Sequence, residues 1–302
     1  DGSVTGLGMA DFIAGQAGGP SAYLQSAPNT LLYRQRNAGL YLQDTWKMRP
    51  RLTLNFGVRW EPYTVPTEVN GKISNLRSIS DTTGTLGDPY WQNHSKGDFG
   101  PRFGFAWSPF ASGKTSVRAG FGLLFAPNDP NLYFNQMDRN PPLGFDFTLT
   151  IPTGCNRFPD AVAELNALTV DGCPTGSKPQ QSPAYVVPFQ DSFDSRAAQW
   201  NFNVQQQLGT TSLLTVGYAG SRGTHLLSVG DYNMPRAVFN GTSLEVPLDA
   251  TLQNPAWPSI LEFANNTSST YHAMLVSFQK RFSAGLQTSL SYTWSKTLAG
   301  AD

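Results

Sequence analysis

In residues 51–61, RLTLNFGVRWE, every second side chain is apolar. Leu52, Leu54, Phe56, Val58 and Trp60 fall on one face of an extended chain. Thr53, Asn55, Gly57, Arg59 and Glu61 fall on the other. Period two is the signature of a strand with one face turned away from water. The pattern recurs: Phe103, Phe105, Trp107; Val117, Ala119, Phe121, Leu123, Phe125; Ala198, Trp200, Phe202, Val204; Leu214, Val216, Tyr218; Met274, Val276, Phe278; Leu286, Leu290, Tyr292, Trp294. None of these faces carries a charge. The opposite faces carry Arg102, Arg118, Asn201, Asn203, Gln205, Gln279, Arg281 and several hydroxyls.

The spacing predicts strands at about 22–33, 37–47, 51–61, 99–108, 115–126, 196–208, 212–220, 270–281 and 286–297. Met48-Arg49-Pro50, Pro109–Lys114, Gly209-Thr210-Thr211 and Ser283-Ala284-Gly285 are expected to join them as tight turns. Between the hairpins lie long polar connections, about 62–98, 127–195 and 221–269. Connections this long are uncommon inside a soluble domain. Short turns alternating with long loops are the habit of an outer-membrane barrel. Residues 161–168, AVAELNAL, are weakly helical.

A soluble β-sandwich also alternates, with one face on the core and one in water. Three features favour a membrane wall. The strands run to about ten residues, against a usual five or six. Trp46 and Trp107 sit by short turns, and Trp60 and Trp294 by long loops, as two interfacial girdles would place them. The polar faces are rich in Arg, Asn, Gln and Gly, which suits a wet or plugged lumen. Composition agrees: 14% charged residues against 12% aromatic is unusual for a soluble enzyme. Asp44 shares the phase of Leu40, Leu42 and Trp46 and so points outward near the short-turn end, unless a bulge turns it inward.

The formal net charge is zero, which argues against nucleic acid as the main partner. No apolar run has the length of a membrane helix. The first residues, DGSVTGLGMAD, hold no basic leader or apolar core, so a mature form or an excised piece is expected. Cys155 and Cys173 lie in a Pro/Gly-rich stretch. They read either as a loop-closing disulfide in an oxidising compartment, which the setting favours, or as two unrelated thiols. No CxxC or nearby His completes a zinc site, and neither a metal nor a cofactor is expected.

No catalytic constellation is visible, so an enzyme is not expected. His94, His225 and His272 lack metal-ligand spacing. GYAGSRG at 217–223 does not match a nucleophile elbow, and Ser221 reads as a turn residue. Arg59, Glu61, Arg102, Arg118 and Arg281 face the lumen. They read as ordinary lumen polarity with mutual salt bridges, or as contacts to a plug or to a passing ligand. The loop aromatics Tyr90, Trp91, Tyr133, Phe134 and Trp257 are candidates to grip an extracellular ligand, and equally to pack the loops together.

Several segments carry a family resemblance. YLQDTWKMRPRLTLNFGVRWEP at 41–62, FGPRFGFAWSPFASGKTSVRAGFGLLFAP at 99–127 and STYHAMLVSFQKRFSAGLQTSLSYTWSKTL at 269–298 resemble the wall hairpins of TonB-dependent outer-membrane receptors. ADFIAG at 10–15 is similar to a short upstream motif of that family. The subgroup resembled is the Oar-like one, with a carboxypeptidase-regulatory-like N-terminal domain. The resemblance implies an all-β, antiparallel transmembrane barrel of 22 strands, of which this chain supplies nine or ten from the middle. It implies an internal plug, a TonB box and a closing strand that are not in this chain, and coupling to the inner-membrane TonB complex. The partners it implies are outer-membrane lipid and a small-molecule, oligosaccharide or peptide ligand such as a siderophore or cobalamin, at the bacterial outer membrane. The rival readings are a passive porin or barrel adhesin, a barrel enzyme, and a soluble β-sandwich binding domain.

Overall fold

The computed structural model describes residues 8–13, 21–26, 30–87, 89–127, 137–150, 180–181, 183–247, 250–283 and 285–300. Eight long strands form its wall: β1 (Leu40–Arg49), β2 (Leu52–Trp60), β3 (Phe99–Trp107), β4 (Thr115–Ala126), β5 (Ser195–Leu208), β6 (Ser212–Asp231), β7 (Ile260–Ser283) and β8 (Leu286–Ala299). Each pairs antiparallel with the next in chain order, giving an up-and-down meander. A ninth strand, Ala184–Val186, joins the same sheet parallel to the upper end of β7.

The cross-strand register keeps the two faces apart over the whole wall. Leu54 lies opposite Trp46 and Phe105, Phe56 opposite Phe103, and Phe103 opposite Phe121. Phe121 meets Trp200, and Phe202 meets Tyr218. On the other face Arg102 lies opposite Gly57 and Gly122, and Arg118 opposite Asn203. The apolar face is open. Leu42 is 74% exposed, Leu290 61% and Trp294 68%. A sandwich would bury these side chains; a continuous exposed apolar face of this size needs lipid. The wall is therefore that of an outer-membrane barrel.

The short turns follow the expected chemistry. Gly209 and Gly285 take φ of +63° and +81°, where a side chain would be strained. The first turn falls at Pro50-Arg51, because β1 runs on to Arg49 across a register shift after Lys47. That shift lies between Asp44 and the turn, so Asp44 stays in the outward phase opposite Phe56. Its Oδ1 accepts the Thr45 N–H at 2.8 Å.

Two strand expectations need correction. The segment at 22–33 does not form a wall strand. Ser21–Ser26 pairs with Phe145–Thr150 in a separate sheet, and further on Tyr33–Arg34 pairs with Thr67–Glu68. Pro28 between them has no N–H to offer a ladder. Strands β6 and β7 run about ten residues further up than alternation suggested. There Phe263, Ala264 and Asn265 are buried in succession, because both faces of the extension are covered and no period-two signal survives.

The closely packed core lies above the wall, among the long connections. Ile73, Tyr90, Trp91, Met137, Val187 and Phe263 form one cluster; Leu76, Ala184, Val186, Trp257 and Ile260 form a second. Buried asparagines stitch the segments together. Asn75 Nδ2 donates to Tyr90 O and Val187 O, both at 2.8 Å, and Asn75 Oδ1 accepts from Val187 N–H at 3.1 Å. Asn140 does the same for Ser74 and Tyr185. Asn254 Nδ2 donates to Ile79 O and Asp81 O, while its own N–H is held by Asn233 Oδ1. In each case an amide side chain supplies the ladder that an irregular backbone lacks. The result is an ordered cap standing on the upper ends of the strands.

Candidate functional site

The cap meets the wall around a small polar cavity of about 220 Å³. Its floor is the inner face of β2–β4. Arg59 lies opposite Gly100, and Arg102 opposite Gly57, so the two arginines are diagonal neighbours with a glycine beside each. Arg59 Nη2 donates to Glu61 Oε1 at 2.6 Å, and the pair is about half exposed. The roof is formed by Tyr63, Asp98 and Asp194, each at the junction between a loop and a strand. Arg59, paired with Glu61, and Arg102 thus line one side of the cavity, and Asp98 and Asp194 the other.

The two roof carboxylates belong to segments nearly a hundred residues apart in sequence. Asp98 precedes β3 and Asp194 precedes β5, and the upper end of β4 lies between those strands. Burial, followed by a hydrogen bond to Asp194 and the charge of that neighbour, pushes the Asp98 carboxyl up to about 7. Arg196 and His94 act in the opposite sense and only partly offset this. Asp194 is buried, and its Oδ1 accepts the Tyr63 hydroxyl hydrogen bond. Burial and the neighbouring Asp194 thus favour the protonated form of the Asp98 carboxyl, whose hydroxyl can donate a hydrogen bond inside the roof.

An aromatic stack supports the roof. His94 and His225 lie on either side of Phe193, at 4.3 and 5.0 Å between ring centroids. His94 Nε2 is 2.8 Å from Gln190 O, and the His225 carbonyl accepts from Ser195 Oγ at 2.8 Å and Asn265 Nδ2 at 3.1 Å. Among the described residues no group of three His, Cys, Asp or Glu side chains is placed to hold a metal ion.

Of the sequence-derived charges, the fold brings Arg59, Glu61 and Arg102 together at this cavity. Arg118 lies lower on the same face, beside Asn203 and Ala106. Arg281 sits at the opposite end of the wall, where its N–H donates to Thr211 O at the short turn. Tyr90, Trp91 and Trp257 are buried to 1–2% exposure inside the cap. Their contacts are with other loop residues, and Trp257 Nε1 donates to Asp81 O at 3.0 Å. Tyr133, Phe134, Cys155, Cys173 and the segment 161–168 lie outside the described residues. Sequence reasoning passed over Tyr63, Asp98 and Asp194. The available signal was positional: each carboxylate stands immediately before the first residue of a wall strand.

Comparison with known proteins agrees with this architecture. A protein-family model described as "Outer membrane beta barrel domain" matches residues 1–302. No curated protein matches the chain. Among solved structures, the chain is similar to the outer membrane transporter YddB of Escherichia coli, at 13% identity and a TM-score of 0.49, over 88% of this chain and 25% of that one. It is also similar to the FrpB iron transporter of Neisseria meningitidis, at 12% identity and a TM-score of 0.42, over 89% and 27% of the two chains. The alcaligin outer membrane receptor FauA of Bordetella pertussis shows 11% identity and a TM-score of 0.37, over 88% and 31%. The chain thus spans a quarter to a third of the length of these proteins. With the family match running over its full length and its apolar wall face open to lipid, the chain belongs to the outer membrane beta-barrel domain family and resides in the bacterial outer membrane.

Proposed function

We propose that this chain forms wall and extracellular cap of a TonB-dependent receptor, of the Oar-like kind, which captures a scarce solute and passes it inward by gated, energised transport. The observation that carries the reading is the cavity at the mouth. Arginines on the inner wall face carboxylates under a stapled cap, so the opening is built for recognition rather than free passage. The hairpin motifs at 41–62, 99–127 and 269–298 support the same family. In this reading Arg59, Arg102 and Arg118 hold an internal plug through carboxylates or carbonyls, and the many glycines of the inner face let it approach closely. The plug, the remaining strands and the TonB complex are its partners. A ligand bearing both an anionic group and a hydrogen-bond donor suits a cavity with two signs of charge. Siderophores, cobalamin, oligosaccharides and peptides are the solute classes to try. Tyr90, Trp91 and Trp257 act indirectly, by fixing the cap; Tyr133 and Phe134 are ligand contacts; Cys155 and Cys173 close a loop.

The reading is tested with the full-length protein in two assays. In proteoliposomes, a gated receptor gives no swelling with a small sugar such as arabinose, whereas a passive porin swells at once. In cells, uptake of a ferric siderophore or cobalamin from a test panel must collapse when a protonophore removes the inner-membrane gradient. Swelling of wild-type proteoliposomes, or uptake of the transported solute that survives the protonophore, overturns it. Replacing both floor arginines, Arg59→Gln with Arg102→Gln, is expected to raise single-channel conductance in planar bilayers by loosening the plug.

A further inference from the structure

On the outward face of β5–β8, basic side chains gather toward the upper rim in successive rows: His272 with Lys296, then Arg222, then Arg196, whose Nε donates to Thr224 Oγ1 at 2.9 Å. Trp200, Gly220, His272 and Lys296 form a single cross-strand row over β5–β8. The row above reads Ala198, Arg222, Thr270, Leu298, and the row below Phe202, Tyr218, Met274, Trp294. Gly220 decides the local geometry. A Cβ there would meet the Trp200 ring at 2.4–2.8 Å, so only glycine lets the indole lie across β6 toward His272. His272 stacks on Tyr218 at 6.0 Å and 17°, and its Nδ1 lies 2.6 Å from the Tyr218 hydroxyl. Trp200 closes the other side at 6.2 Å.

The height of this row follows from the register. Lys280, opposite Ser212 and Thr288, is the outward-phase residue next to the short turn. His272 is eight residues up the same strand. At ~3.4 Å per residue and a tilt of ~40°, that is about 20 Å along the membrane normal. An outer-membrane apolar band is about 25 Å tall. Between Lys280 and His272 the outward positions of β7 are Phe278, Val276 and Met274, as a hydrocarbon-facing stretch requires. Lys296 and Arg222 therefore stand where acyl chains give way to headgroups. Their Cα atoms are two strand spacings and two residues apart, about 12 Å, and both side chains are exposed. Lys and Arg side chains are long enough to reach one group from both sides of a gap of that width. Among the described residues, the outward-phase positions of β5–β8 from the short turns up to the Arg222–Thr270 row hold no carboxylate; Asp44 lies on the outward face of β1.

We propose that Lys296, Arg222 and His272, with Trp200 and Tyr218, form a docking site for the phosphorylated headgroup of an outer-leaflet lipid. Charge complementarity favours phosphate, and continuity with the lipid-facing band favours a lipid over a free anion. Met274, Tyr292 and Trp294, directly below, lie where the acyl chains of such a lipid run. The grouping of Lys296, Arg222 and His272 distinguishes this rim from the lower one, where Lys280 stands between Ser212 and Thr288.

The test uses the full-length protein in phosphatidylcholine vesicles, with spin-labelled phosphatidic acid or spin-labelled phosphatidylcholine as probe. The wild type is expected to retain phosphatidic acid about ten-fold better than phosphatidylcholine, with the preference shrinking as salt is raised. Lys296→Gln with Arg222→Gln should bring the two probes to parity, whereas Lys280→Gln should keep most of the preference. Heat-dependent gel mobility checks that each variant is folded. Equal retention of both probes by the wild type overturns the proposal even if the double variant fails to fold. So does a preference that the folded double variant preserves, or one that millimolar inorganic phosphate abolishes, which would indicate a site for the free anion.

Discussion

Glu68 and Asp98 are both carboxylates at the base of the cap, and their surroundings drive them in opposite directions. Burial pushes Glu68 up, but its oxygens accept the N–H groups of Leu32, Asn70 and Lys72 at 3.0, 2.9 and 2.7 Å, and these hold the carboxyl below its usual range. A lowered native value contributes stability above the unfolded value of 4.5 and loses it as pH falls through the native one. Glu68→Gln is expected to lower the melting midpoint of the cap at pH 7, by about 1.5–3 kcal/mol in stability, and to leave little difference from wild type in strong acid. Tryptophan fluorescence of the buried Trp91 and Trp257 reads this out. Asp98 has the reverse sign. With its native value raised from 3.8 to about 7, its contribution is fully present below 3.8 and fades as pH rises through 7. Asp194, Arg196, His94 and the Tyr63 hydroxyl are the groups around this carboxylate pair. Asp98→Asn should flatten the cap's thermal midpoint between pH 4 and 7; an unchanged slope would remove Asp98 from the account. Neither residue was legible beforehand. Each owes its state to partners that the fold, and not the local sequence, brings near.

At the scale of elements, the wall was readable and the cap was not. Strands β2, β3 and β4 alternate strictly because one face meets lipid and the other a polar interior, so two residues of sequence repeat one unit of environment. The same physics makes a sharp contrast between neighbours. Val216 lies on the outward face opposite Val204 and Val276, near mid-height, and Thr215 lies on the inner face opposite Gln205 and Ser277. Val216→Arg should cost about 2–4 kcal/mol, and Thr215→Lys close to nothing. Urea titration of heat-modifiable folding in vesicles measures both; equal costs would mean that the face assignment is wrong. Above the membrane this rule lapses. Ile260, Phe263, Ala264 and Asn265 are buried on one strand without alternation, and Ala184–Val186 covers the strand edge there from far along the chain.

For the molecule as a whole, wall and cap are held by different forces, and this predicts two separable transitions. The wall has little interior core; its strands are paired through backbone ladders and its apolar face meets lipid. The cap carries the buried clusters and depends on asparagines that bridge segments more than a hundred residues apart, such as Asn75 to Val187 and Asn254 to Asp81. Such contacts have no local signature, which is why loop aromatics such as Trp257 could be read from sequence either as ligand contacts or as packing. Asn254→Ala would remove the Asn254 side-chain partner of the Ile79 carbonyl and of the Ala256 N–H, and leave the part-buried Asp81 carbonyl with the Trp257 indole as its donor. Each buried group left unpaired costs on the order of 1–3 kcal/mol. The expected outcome is a cap that melts well below the wild-type temperature while the wall keeps its resistance to heat in detergent gels. Fluorescence would report the first transition and gel mobility the second. If both fell together, cap and wall would be one cooperative unit, and gating could not proceed by loosening the cap alone.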